Sequence, residues 1–182
     1  GPGGPGSRVD RVDYSNDTVA YTAMSNLPAA LMKLTATSSE DNALQDRFTI
    51  STPFAFGENP TVSYPYGYWT GGGTPSVISS VSRIDYSNDT PTAAAKGPLS
   101  VAKRDHAGTG NQSYGYHAGG NTPYLSTVDR IDYSNDGIFA STRGPLSSAR
   151  GYIAAAGNAS YGYYAGGKPG PLSSVDRIDY SN

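Results

Sequence analysis

An eight-residue phrase recurs four times in this chain: VDRVDYSN at 9–16, VSRIDYSN at 81–88, and VDRIDYSN at both 128–135 and 175–182. The copies start at Val9, Val81, Val128 and Val175, so they are spaced 72, 47 and 47 residues apart. A fixed period of this size marks a propeller, solenoid or array, in which each repeat is one supersecondary unit that buries its apolar faces only against its neighbours.

The two 47-residue units carry the same landmarks in the same order. GPLS is followed by an alanine and a basic residue (Ala102 and Lys103, then Ala149 and Arg150). An Ala/Gly-rich run closes on Gly110 and Asn111, then on Gly157 and Asn158. SYGY, two further residues and a double glycine come next, and the phrase ends the unit. The segments between landmarks have strand length. Tyr114, Tyr116 and Ala118 alternate with Gly115, His117 and Gly119, and the same alternation recurs from Tyr161. That period of two predicts a strand with a tyrosine face and a nearly bare face, which a neighbouring sheet can approach closely. Val128 and Ile131 fall on opposite parities, so the phrase is expected to be a strand covered on both sides. The Ser-Asn-Asp that follows it is turn chemistry.

The chain is therefore expected to be all-β, with four-stranded antiparallel units and one extra strand. Residues 1–8 read as a Gly/Pro-rich lead-in, 9–80 as repeat 1, 81–127 as repeat 2, 128–174 as repeat 3, and 175–182 as the extra strand. Repeat 1 is longer because its YGY starts 57 residues after its phrase rather than 33, which places an inserted loop at about 31–63. An SSED start near Ser39 suggests a helical turn within it. Insertions into repeat proteins map to loops that often carry recognition, so Phe54 and Phe56, with the neighbouring Trp69, are the candidate recognition residues.

Composition narrows the partners. Charged residues make up 15% and the net charge is -2, with 13 Lys and Arg spread thinly over the repeats. Nucleic acid is not an expected partner, because neutralising several phosphates needs a clustered basic surface. No apolar stretch is long enough for a membrane-spanning helix. The start GPGGPG has neither a charged nor an apolar leader region, so no signal peptide is read there. The chain has no cysteine, hence no disulfide framework and no thiolate metal site.

GPLS with a following basic residue, then Gly-Asn, YGYxxGG and the phrase, resembles the Kelch motif in order and period. The tryptophan that usually follows the last strand of that motif is missing. The resemblance implies four-stranded blades of a β-propeller with the glycine-rich strands near its axis. The exact wording is also similar to tandem repeats of structural and tail-fibre proteins of marine bacteriophages, which implies a virion or extracellular role. Three YGYxxGG stretches against four phrases leave the array one strand out of step, so a neighbouring subunit or further sequence is expected to complete it.

Catalytic parts are sparse. His106 and His117 belong to no metal or nucleophile motif, and a tyrosine takes the place of His117 one repeat later, so His117 reads as a strand filler. Asp132, Ser134 and Asp136, followed by Gly137, have the spacing of the start of a calcium loop, although Arg143 stands where its bidentate glutamate belongs. The competing reading of that stretch is a plain Asx-capped turn, with no cofactor. Asn16, Asn88, Asn111 and Asn158 fit the glycan-acceptor pattern. Val175, Arg177, Ile178 and Tyr180 lie on the extra strand and are the candidate assembly residues, because an edge strand offers unpaired backbone groups to a neighbour. The expected role is a non-enzymatic structural protein that associates with itself. The alternative is a propeller that binds protein or cell-surface carbohydrate, for which aromatic faces would serve.

Overall fold

The computed structural model describes residues 6–11, 22–31, 33, 35–38, 65–73, 75–121 and 123–182. The insert beyond residue 38, with Phe54 and Phe56, lies outside the described residues, as does Asn16. Among the described residues the regular structure is strand, apart from one 3₁₀ turn at Tyr133–Asn135. The chain is all-β.

Among the described residues, thirteen strands form four antiparallel sheets. β1 (Gly6–Arg11) pairs with β2 (Thr22–Leu31). The next sheet runs β3-β4-β5-β6, from Thr35–Ser38, Tyr66–Thr70, Val81–Asp85 and Ala94–Lys96. Another follows as β7-β8-β9-β10, from Ala107–Gly110, Tyr114–Ala118, Val128–Asp132 and Ser141–Arg143. The last has three strands, β11-β12-β13, from Ala154–Gly157, Tyr161–Ala165 and Val175–Asp179.

Every complete sheet uses the landmarks in the same way. The small-residue run is its first strand, YGY its second and the phrase its third, while its fourth is the short segment just before the next GPLS. Sheets thus straddle the sequence repeats, since each borrows its last strand from the residues after the phrase. Two segments differ from their sequence reading. Gly6–Arg8 belongs to β1 rather than to the lead-in, and Thr35–Ser38, inside the stretch read as an insert, is the first strand of its sheet. The latter lacks the Ala/Gly signature of β7 and β11, which hid the equivalence. The last phrase is likewise not solitary, because β13 pairs along its whole length with β12.

Side-chain chemistry explains the turns. The Asn111 carboxamide oxygen accepts from the amides of Ser113 and Tyr114 at 2.9 Å, closing the β7-β8 hairpin, and Asn158 does the same for Ser160 and Tyr161. Within the phrase, Asp85, Asp132 and Asp179 each accept from the amide and hydroxyl of the serine two residues on.

Sheets pack face to face in chain order through three apolar clusters. The first joins Leu27 and Val9 to Ile84, Ala93 and Trp69. The second joins Tyr68, Val81 and Leu99 to Ile131 and Tyr133. The third joins Tyr116, Val128 and Leu146 to Tyr164 and Tyr180. In each of the last two junctions the tyrosine of the phrase stacks on the second YGY tyrosine of the preceding sheet: Tyr133 on Tyr68 at 4.7 Å, and Tyr180 on Tyr116 at 4.9 Å. The bare glycine face makes room for this approach. A Cβ on Gly162 would meet Thr109 of the preceding sheet and the Tyr180 hydroxyl.

A backbone ladder adds to the packing. Lys33, Asp105 and Tyr152 occupy the same repeat position and all have left-handed φ near +57° or +56°. The Asp105 amide donates to the Lys33 carbonyl, and the Tyr152 amide to that of Asp105. A conformation costing about 1–2 kcal/mol outside glycine is therefore held by a bond from each repeat to the one before.

Candidate assembly interface

The junctions between sheets show what one repeat requires of the next. Lys103 lies between two sheets: its carbonyl accepts from Gly72 and its amide donates to Ile78, both in the sheet before. Its side chain runs into the sheet after, where Nζ is 2.8 Å from the Asp129 carboxylate and 3.2–3.4 Å from oxygens of His117 and Thr127. Both ions are fully buried. Burial lowers the Lys103 pKa, against the opposing pull of Asp129.

One repeat later Arg150 takes the same course. Its carbonyl accepts from Gly120, its amide donates to Leu125, and its guanidinium reaches Asp176, Ser174 and the Tyr164 carbonyl. The basic residue after each GPLS is visible in the sequence, but no local spacing joins it to an acid so far along the chain. A signal was present: where repeat 1 should carry this pair it has Leu31 and Ser82, so both charges are replaced together.

A second polar contact crosses the same junction. The Thr70 hydroxyl lies 2.9 Å from His106 Nε2 and 3.0 Å from His117 Nδ1, and all three residues are buried. Burial, with Lys103 nearby, pushes the His106 pKa down to about 3, and burial with His106 and Lys103 holds that of His117 well below its usual value. At the next junction the corresponding residues are Ala118, Ile153 and Tyr164, an apolar set within the third cluster. His117 is thus a buried strand residue bonded to a neighbouring sheet.

The calcium candidates are not brought together. Asp132 caps Ser134, whereas the Asp136 carboxylate turns back onto the preceding sheet, accepting from the Tyr68 hydroxyl and Arg83 at 2.8 Å and lying 3.1 Å from Lys96 Nζ. The Tyr68 pKa is raised by burial and by this acid. Among the described residues no group of three His, Cys, Asp or Glu is placed to hold a metal ion. Trp69 packs in the first apolar cluster. Of the acceptor asparagines, Asn88 and Asn158 are exposed and Asn111 is half-buried in its turn.

The four assembly candidates divide. Tyr180 and Ile178 pack inward on the preceding sheet, while Val175 and Arg177 point outward, with Arg177 over the Tyr161 ring at 4.7 Å. The outward face is a copy of one buried twice elsewhere. Val81 and Val128 are 1% and 2% exposed, but Val175 is 60% exposed, and Tyr68 and Tyr116 are 0% exposed where Tyr163 is 37%. In the two preceding sheets these residues are covered by the next repeat.

Compared with models of known protein families and with curated proteins, the chain matches none. No helix among the described residues is long and apolar enough to cross a membrane.

Proposed function

We propose that the chain is a non-enzymatic structural protein, a repeat-built subunit that joins copies of itself head to tail into a fibre or virion-associated filament outside the cell. One observation carries this reading: the outward face of the last sheet, with Tyr163 and Val175, has the composition of two surfaces that the same chain buries between its own sheets. A face evolved for sheet-on-sheet packing is complementary to another repeat, and head-to-tail addition of identical subunits gives a ring or an open filament according to the rotation. Sequential four-stranded antiparallel sheets repeated along the chain support a repeat-built subunit. The buried ion pairs support a structural role too, since they staple one sheet to the next.

Light scattering after size exclusion tests the proposal. The chain should gain mass with concentration, with rings or filaments in electron micrographs. Tyr163→Glu with Val175→Glu, two exposed positions, should leave a monomer with the same β spectrum. A wild-type chain that stays monomeric, or binds a glycan as a monomer, would overturn it.

A further inference from the structure

The first strands of successive sheets lie side by side, β3 on β7 and β7 on β11. Lys33, Asp105 and Tyr152 each stand just ahead of one of these strands in the left-handed conformation. The backbone ladder through these three residues therefore gathers their side chains at one end of the array. Residues after the double glycines join them there, because the Asn121 amide donates to the Arg104 carbonyl and the Lys168 amide to that of Gly151.

Lys33 Nζ lies 3.6 Å from Asp105 Oδ2 and 5.5 Å from the centre of the Tyr152 ring. Lys168 Nζ lies 5.6 Å from the same centre, and the Asn121 carboxamide donates to the Tyr152 hydroxyl at 2.9 Å. Arg104 Nε is 3.7 Å from Asp105 Oδ2. Openness belongs to the position itself: Lys33 and Arg104 both precede further sheets, yet their side chains are 44% and 32% exposed. Tyr152 and Lys168 are exposed as well.

Two features call for a ligand. Lys33, Arg104 and Lys168 stand against one acid, in a chain whose net charge is -2, and a local excess of one sign attracts its opposite. The Asp105 side chain is only 7% exposed, and its Oδ2, like Arg104 Nε, is buried without a hydrogen-bond partner. Buried polar atoms of native proteins are normally hydrogen-bonded, so each unmatched one asks for a partner. A sulfate brings only acceptors and would leave the Asp105 carboxylate both unmatched and opposed. A sugar acid brings a carboxylate for the cations and hydroxyl donors for Asp105, and its C–H groups suit an exposed phenol ring.

We infer that this end of the array binds an acidic oligosaccharide, a uronate chain. Its carboxylates are held by Lys33, Arg104 and Lys168, a hydroxyl donates to Asp105 Oδ2, and a sugar ring lies against Tyr152. The site goes beyond self-association and shares no residue with the Tyr163 and Val175 face, so an assembly carries one such site per chain.

Isothermal titration calorimetry of the whole chain with trigalacturonate tests it. Saturable binding with a Kd of about 1 mM or tighter is expected. Citrate, which carries as many carboxylates without the sugar, should bind about tenfold more weakly or worse. Lys33→Asn combined with Lys168→Gln changes two exposed positions, and asparagine tolerates the left-handed φ of the first. This variant should keep the β spectrum and weaken trigalacturonate about tenfold or more, as loss of charge-assisted contacts implies. No heat of binding, equal affinity for citrate, or an unaffected double variant overturns the inference. Light scattering on the same samples separates the two proposals. A chain that binds trigalacturonate without gaining mass keeps this site and loses self-association, and a chain that gains mass without binding does the reverse.

Discussion

Replacing Lys103 by leucine, or Asp129 by serine, is expected to cost about 3–5 kcal/mol of stability, because either change leaves the other charge buried and unpaired. Lys103 and Asp129 are fully buried at 2.8 Å, so water cannot compensate the survivor. The double variant should recover most of the loss. Repeat 1 already holds leucine and serine at these two places, as Leu31 and Ser82, and a buried ion pair exchanged for uncharged residues is often close to neutral. Urea unfolding of the wild type, the two single variants and the double variant gives the coupling directly. Additive losses would show that the pair is not one unit. Arg150 and Asp176 should show weaker coupling, because Asp176 retains 19% of its side-chain exposure and solvent screens what it loses.

Most of the strand architecture was legible in the sequence because the repeats repeat their physics. Alternating Tyr and Gly give β4, β8 and β12, opposite-parity Val and Ile give the strands covered on both faces, and Asn and Asp mark the turns that cap them. Two things were hidden. β3 has the position of β7 and β11 without their glycine, and Ala94–Lys96 and Ser141–Arg143 are too short for any periodicity to register. Sheet boundaries consequently fall after the phrase, where a pattern reader ends the repeat. Long-range pairs were harder still. Asp136 has calcium-loop spacing, but its partners Tyr68, Arg83 and Lys96 come from the previous sheet, and local spacing cannot report a contact 68 residues away. Comparison among repeats could have found the pairs. Lys103 with Asp129 and the His106, His117 and Thr70 set each change together from one repeat to another, as residues in contact do.

That second set makes the fold acid-sensitive in a defined window. One hydroxyl donating to one ring and accepting from the other suits two neutral imidazoles, and Lys103 beside them opposes a further positive charge. Both histidines have depressed pKa values when folded, so as pH falls below about 6.5 the unfolded chain binds protons that the native chain refuses. Stability should therefore decline as pH falls below about 6.5, by at most about 3 kcal/mol per unit for two such groups. The decline continues for His106 toward its folded value near 3. Asp85 and Asp179, whose carboxyls Ser87 and Ser181 hold below the ordinary range, contribute only below about pH 4, outside this window. The control is written into the chain. Carrying the next junction's residues into this one, as Thr70→Ala, His106→Ile and His117→Tyr, should remove the slope between pH 7 and 5 while keeping the sheets packed. Urea midpoints across that range decide the matter: a triple variant that remains as acid-sensitive as wild type would move the titration away from this junction.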